Sequence, residues 1–254
     1  MQGLLGQLDR LLRGEYTRGE ELRQGRIAVP VRTLIVASLL CGAVYGASMG
    51  LYAATAGIER GWQQFLSSAT KVPLLFLLTL VVTFPSLYVF SALAGSRLAA
   101  RDVLRLLVAA IAVNLAVLAS FGPVTVFFTV FTTSYAFISL LNVVFFVLAG
   151  LVSLGFLARA ARTVFAGDGD GEPPAEATVE APPKPGRGAP DPQRRARTIF
   201  RVWIVIYGIV GAQMGWILRP FVGNPQLEFV WFRHHRQSNF FAAVMDLLRD
   251  IGAG

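Results

Sequence analysis

Apolar stretches long enough to cross a bilayer, with at most one charged residue each, recur along this 254-residue chain. A helix needs about 20 consecutive apolar residues to span the hydrocarbon core, and in lipid its backbone must satisfy its own hydrogen bonds. The runs predict five membrane-spanning helices, at residues 33–56, 72–95, 103–121, 135–158 and 199–218. Charged residues make up 15% of the chain, against about 25% in soluble domains. We therefore expect an all-α integral membrane protein.

The polar segments divide the chain into five parts. Leucines on one helical face of residues 1–32 predict an amphipathic helix, lying either on the cytoplasmic membrane surface or on the protein's own loops. A Pro- and Gly-rich stretch follows the fourth run and has too little apolar sequence to fold. The predicted parts are this N-terminal segment, a four-span core at 33–166, a disordered cytoplasmic linker at 167–197, the fifth helix at 198–219 and an aromatic and basic tail at 220–254 that ends in an amphipathic helix.

Two connections and one kink complete this outline. Residues 57–71 are expected to form the loop between the first two spans, and the uncharged residues 122–134 an aromatic hairpin dipping into the outer interface. Pro85 lies within the second span and is expected to kink it, because proline removes a backbone hydrogen bond. Thr83 or Ser86 is expected to satisfy the carbonyl that this leaves free.

The first apolar run carries a small residue at every fourth position. A smooth face of this kind lets another helix approach closely in lipid. Its members are Ser38, Gly42, Gly46, Gly50 and Ala54. A second small-residue face, in the fifth run, consists of Gly208, Gly211, Ala212 and Gly215. We expect the two faces to pack together within one chain, with homo-oligomerisation through the first face as the alternative.

The deep polar residues of the predicted spans are carboxamides. Asn114, Asn142 and Gln213 fall at similar distances from the predicted outer ends of spans three, four and five, roughly 10 Å inside the boundary. We expect Asn114 and Asn142 to hydrogen-bond across the hairpin of spans three and four, with Gln213 joining them. Such a layer is either structural or the lining of a polar ligand pocket.

Little else in the sequence points to chemistry. His234 and His235 are adjacent, so their side chains diverge, and no third metal ligand is near them. The Gly-x-Ser-x-Gly match at residues 46–50 lies inside the first apolar run and not at a strand-to-helix turn, so it is not a nucleophile elbow, and no phosphate-binding glycine loop is present. The basic residues flank the apolar runs instead of forming a stripe with aromatics, which argues against nucleic acid. We therefore expect no catalytic residue, metal or cofactor.

Three sequence blocks resemble a known family. They are Lys71 to Leu80 with Phe84 to Phe90, Leu140 to Phe146, and Gly211 to Gly223. Together they are similar to an uncharacterised family of bacterial multi-pass membrane proteins, some of which are labelled actin-binding WH2 domain-containing proteins. Residues 94–98, which precede a new span, are more loosely similar to bacterial Yip1-like proteins. That second resemblance implies five spans and a cytoplasmic N-terminus, and neither implies a catalytic residue.

These features favour a non-catalytic scaffold, assembly or trafficking component of the bacterial inner membrane. Its expected partners are the bilayer and an unidentified membrane protein. The alternative is a channel or small-molecule permease that uses the Asn114, Asn142 and Gln213 layer. A membrane enzyme acting on lipid is a third hypothesis, supported only by the basic and aromatic tail.

The distribution of basic residues predicts a cytoplasmic N-terminus and a periplasmic or extracellular C-terminus. An alkaline phosphatase fused after Gly254 should therefore be active in a bacterial host, and a fusion at Gly167 should be inactive. Enzyme activity in colonies expressing each fusion measures the orientation. An inactive Gly254 fusion with an active Gly167 fusion would reverse the predicted topology.

Overall fold

A computed structural model describes residues 2–13, 30–55, 61–93, 100–132, 134–167, 202, 205–214 and 240–252. Every regular element in these ranges is an α-helix. In chain order the helices are α1 (Gln2–Leu12), α2 (Val31–Thr55), α3 (Gly61–Leu93), α4 (Ala100–Phe131), α5 (Tyr135–Gly167), α6 (Val205–Met214) and α7 (Phe240–Gly252). Outside the described ranges lie all but the first residue of the predicted linker, together with Gly215 and the adjacent histidines.

Four of the helices are long and apolar enough to cross a membrane. Their spanning parts are Val31–Thr55, Gly61–Ser86, Val103–Phe131 and Tyr135–Ala160. Helix α6 is apolar but only ten residues of it are described. The described part of the chain is thus all-helical with four candidate membrane spans, as in a membrane protein, and a fifth complete span stays a prediction.

Two spans begin or end well beyond the predicted limits. Residues 61–71, expected to be loop, form the first three turns of α3. Residues 122–131, expected to be a hairpin connection, continue α4 through Gly122 and Pro123. The hairpin prediction is wrong because a helix supplies nearly all backbone hydrogen bonds in an apolar setting. The hydroxyls of Thr125 and Thr129 also bond carbonyls one turn back, at 3.3 and 2.8 Å.

The four spans form an antiparallel bundle. Tyr45 meets Asn142 and Tyr52 meets Tyr135, so α2 and α5 run in opposite directions. The Ser153 hydroxyl donates to the Ala110 carbonyl at 2.7 Å, linking α5 to α4. Helix α4 lies at the centre, since every residue from 106 to 115 is buried. Burial on all sides explains why this stretch is apolar around its whole circumference.

The small-residue face of α2 packs against α3. A Cβ added at Gly46 would lie 2.8 Å from the Ala69 Cα and would overlap the Ser68 carbonyl, and one at Gly50 would lie 2.6 Å from the Phe65 Cα. Gly42 faces Pro73 in the same way. The two backbones therefore touch directly, as a face of small residues permits.

The expected pairing of this face with the fifth run is wrong for its three glycines, whose neighbours belong to α3. A Cβ added at Gly208 or Gly211 would meet nothing within 4 Å. The physical reason is that α3 follows α2 after only residues 56–60 and runs antiparallel to it. It therefore reaches the smooth face first.

The N-terminal helix packs on the bundle. Leu8 and Leu11 of α1 are buried and belong to the same apolar core as the spans, and α1 contacts α2 and α4. Asp9 and Arg13 form an exposed ion pair at 2.9 Å on its other side. The two expected positions of this helix were the membrane surface and the protein's own loops. The structure is closer to the second, but α1 packs on helices and not on loops.

Pro85 lies inside α3, which continues to Leu93. The hydroxyls of Thr83 and Ser86 donate to the Thr79 and Thr83 carbonyls, at 2.6 and 2.7 Å. The carbonyl freed by Pro85 is that of Val81, four residues earlier. These two bonds therefore satisfy the Thr79 and Thr83 carbonyls, which lie two residues before and two residues after Val81.

Substitution of Gly46 should destabilise the bundle far more than substitution of another glycine. Gly46→Ala forces α2 and α3 apart, which should cost about 1–3 kcal/mol of unfolding free energy. Gly150→Ala is the matched control, because a Cβ there meets nothing within 4 Å. SDS titration of both variants in mixed micelles measures the difference. Equal midpoints would contradict the direct backbone contact.

Candidate functional site

A buried hydrogen bond joins α2 to α5 in the middle of the bundle. The Tyr45 hydroxyl donates to Oδ1 of Asn142 at 2.8 Å, and Nδ2 of Asn142 donates to the Ile138 carbonyl at 2.8 Å. Tyr45 and Asn142 are both fully buried. The ring of Phe146 lies edge-on to Tyr45, with centroids 5.7 Å apart. Both the oxygen and the nitrogen of the Asn142 amide are thus hydrogen-bonded within the protein.

Asn114 and Asn142 do not pair, and they lie at different depths. Phe145 of α5 stacks on Phe121 of α4, with centroids 4.5 Å apart, which places Asn142 near the level of Phe121. Asn114 lies seven residues earlier on α4, about 10 Å further along the axis. The expected single layer assumed that span three ends at residue 121. Because α4 continues to Phe131, the estimated depth of Asn114 was wrong.

Asn114 lines a cavity between four helices. The cavity has a volume of about 290 Å³ and apolar walls. Helix α3 contributes Leu75, Phe76 and Thr79; α5 contributes Val143, Phe146, Val147, Gly150, Leu151 and Leu154; α6 contributes Tyr207, Gly208, Gly211 and Ala212. Thus part of the second small-residue face borders the cavity, whereas Gln213 is not among its lining residues. Gln213 therefore does not join either asparagine in one layer.

The Asn114 amide is the polar feature of this cavity. The side chain is 6% exposed, and its Oδ1 atom is buried without a hydrogen-bond partner among the described residues. The Thr79 hydroxyl, also in the wall, donates to the Leu75 carbonyl at 2.8 Å. A buried amide oxygen without a partner loses about 1–3 kcal/mol relative to a bonded one. It is therefore a strong acceptor for any molecule that enters.

Sequence reasoning missed a buried lysine. Lys71 was assigned to an outer loop, but it lies in α3 and is 5% exposed. Its neighbours along α3, Ser68 and Pro73, face Gly46 and Gly42, so Lys71 lies at the level of the middle of α2. The expectation that deep positions lack ionisable groups is therefore wrong. Ionisable side chains at such depth are costly and usually serve a function.

A periodic signal could have revealed this lysine. Ser67, Ser68, Lys71, Thr79 and Thr83 recur at helical spacing, and all five are buried in α3. Polar residues at intervals of three and four mark one face of a helix. In a loop, polar residues are not expected to continue the helical spacing of the apolar run that follows. The interval therefore places residues 67–71 on the same helix as the span.

Comparisons with protein-family models, with curated proteins and with solved structures found no match to this chain. Among the residues that the structure describes, no group of three or more His, Cys, Asp or Glu side chains could hold a metal ion. The bundle thus offers three buried polar features, the cavity with Asn114, the Tyr45–Asn142 bond and Lys71, and α7 adds an exposed apolar surface.

Tyr45→Phe and Asn142→Leu should show positive coupling in a double-mutant cycle. Each single change leaves one buried group unpaired, so the double variant should lose about 0.6–2 kcal/mol less than the two losses added. Asn114→Leu with Asn142→Leu is the control pair and should be additive, because these side chains do not touch. SDS-induced unfolding of all five variants supplies the free energies. Additivity in the first pair would exclude the Tyr45–Asn142 bond.

Proposed function

We propose that this protein is a non-catalytic scaffold or assembly component of a bacterial inner membrane. The observation that carries this proposal is a solvent- or lipid-exposed apolar stripe on α7. Phe241, Met245 and Leu248 are 55%, 54% and 46% exposed, and their spacing places them on one side of the helix. Asp246 and Arg249 lie beside the stripe and form an exposed ion pair at 3.7 Å. An apolar stripe bordered by charges suits binding to the apolar face of another membrane protein.

The position of α7 supports this role. Helix α7 contacts α5, so the helix that carries the stripe is packed on the bundle and does not lie on a separate domain. The bundle itself is stiffened by the backbone contact between α2 and α3 and by the buried Tyr45–Asn142 bond. A rigid body that presents one fixed binding helix fits a scaffold. The N-terminus in the cytoplasm and the C-terminus outside remain part of this proposal, and so does a trafficking-type role.

A small-molecule permease is the second candidate, and Lys71 is the observation that favours it. Transport proteins often place an ionisable side chain deep in the membrane. Lys71 is buried at the middle of the bundle, on a helix that also borders the Asn114 cavity through Leu75 and Phe76. The carboxamide layer on which the permease hypothesis rested is not formed. Lys71 replaces it as the residue that supports a transport pathway.

Photocrosslinking from the α7 stripe tests the scaffold proposal. Benzoylphenylalanine in place of Met245 should give a discrete covalent adduct with another protein in intact cells. The same probe in place of Asp246, which points away from the stripe, is the matched control and should give several-fold less. Phe241→Glu in the Met245 probe variant should abolish the adduct. Lipid adducts alone at Met245 would assign the stripe to the bilayer and contradict the proposal.

A further inference from the structure

The cavity around Asn114 has the features of a ligand site that the scaffold role does not require. Its volume of about 290 Å³ lies at the lower limit of the roughly 300–1,000 Å³ of small-molecule sites. At about 30 Å³ for a water-sized group, it holds about ten non-hydrogen atoms. Its walls are apolar apart from Asn114, Thr79 and Tyr207. A packed bundle gains nothing from leaving such a volume unfilled, because unfilled space forfeits dispersion contacts.

The polar end of the ligand follows from the Asn114 side chain. Its Oδ1 accepts no hydrogen bond within the described part of the chain, and a carboxamide also carries two N–H donors. A complementary group must both donate and accept, as a carboxamide, an undissociated carboxylic acid or an alcohol does. An ionised head group does not suit the apolar walls, because no charge in the lining compensates its desolvation.

The route of entry follows from the exposure of the wall. Val147 and Leu151 line the cavity and are 53% and 61% exposed, so the cavity communicates with the surroundings of the bundle. Asn114 lies within about 5 Å of the midpoint of the span Val103–Phe131. At this depth the surroundings are the acyl chains of the bilayer. The ligand therefore enters from lipid and must dissolve in it.

We propose that the α3–α4–α5–α6 cavity binds a neutral, membrane-soluble amphiphile of about ten non-hydrogen atoms, whose single head group exchanges two hydrogen bonds with the Asn114 amide. An alkyl or aromatic body fills the space between Phe76, Phe146 and the glycines of α6. A bilayer acyl chain, which lacks a polar group at this depth, would leave the Asn114 amide unpaired and is therefore not the occupant.

Octanamide is the probe, because it has ten non-hydrogen atoms and a primary amide. A diazirine-bearing octanamide is photolysed with the full-length protein in phosphatidylcholine nanodiscs, and the labelled peptides are mapped by mass spectrometry. We expect labelling at α5 residues 143–154 that excess octanamide competes away and that decane, of the same size without a head group, does not. Asn114→Leu should raise the half-saturating concentration by about eightfold to several hundredfold, the worth of two intramembrane hydrogen bonds.

Two leucine substitutions on one helix supply the matched pair. A Cβ at Gly150 points into open space in the cavity wall, so Gly150→Leu should fill the cavity and abolish labelling. Gly155 lies outside the lining and a Cβ there has only the Arg159 side chain at 3.9 Å, so Gly155→Leu should label as the wild type does. Gly211→Leu fills the cavity from α6 and provides a second test if Gly150→Leu fails to fold.

Three results would overturn the proposal. Equal competition by decane and octanamide would make the site an acyl-chain groove without polar recognition. Unchanged half-saturation in Asn114→Leu would remove Asn114 from the site. Labelling that persists in both Gly150→Leu and Gly211→Leu would place the probe on the lipid-facing surface. Asn114→Leu should also unfold no earlier than the wild type, because it removes a buried amide oxygen that has no hydrogen-bond partner in the described part of the chain.

Discussion

The backbone contact between α2 and α3 determines the arrangement of the rest of the bundle. Gly46 and Gly50 bring α2 against the main chain of α3 at Ser68 and Phe65. Once these two helices are in register, another side of α2 is left for Tyr45 to reach Asn142 on α5. Helix α4 then fills the centre and is buried on all sides between residues 106 and 115. In lipid, where apolar burial gives little driving force, close packing and a few buried hydrogen bonds hold helices together.

The sequence predicted the class of fold and four of its spans, because apolar length is a strong signal in a chain with few charges. It failed at the ends of spans. The segment around Ser68 is polar enough to resemble a loop, and hydropathy cannot show that another helix will cover it. Gly122 and Pro123 suggest a break, yet the apolar surroundings keep the backbone helical. Asn114 and Asn142 were identified from their type, but their partners were not, because pairing depends on relative depth and depth depends on where each span ends.

The two asparagines illustrate how identical chemistry acquires different roles. Asn142 uses both ends of its amide, with Tyr45 and with its own helix, and so contributes to the stability of the native state. Asn114 has no such partner for its oxygen and borders an empty volume. Both residues are asparagines, and both lie at a similar distance from the predicted outer end of their span. What distinguishes them is whether a side chain of another helix donates a hydrogen bond to the amide oxygen.

The buried polar side of α3 has a consequence for how the protein is made. The first turns of this helix carry Ser67, Ser68 and Lys71, which are unfavourable as a lone segment in hydrocarbon. Helix α2 packs against α3 at Ser68, and only residues 56–60 separate the two helices. The pair is therefore suited to leave the translocon as a preassembled hairpin, with α2 shielding α3 during release into lipid. Biogenesis of the whole bundle then depends on the order in which its first two spans emerge from the ribosome.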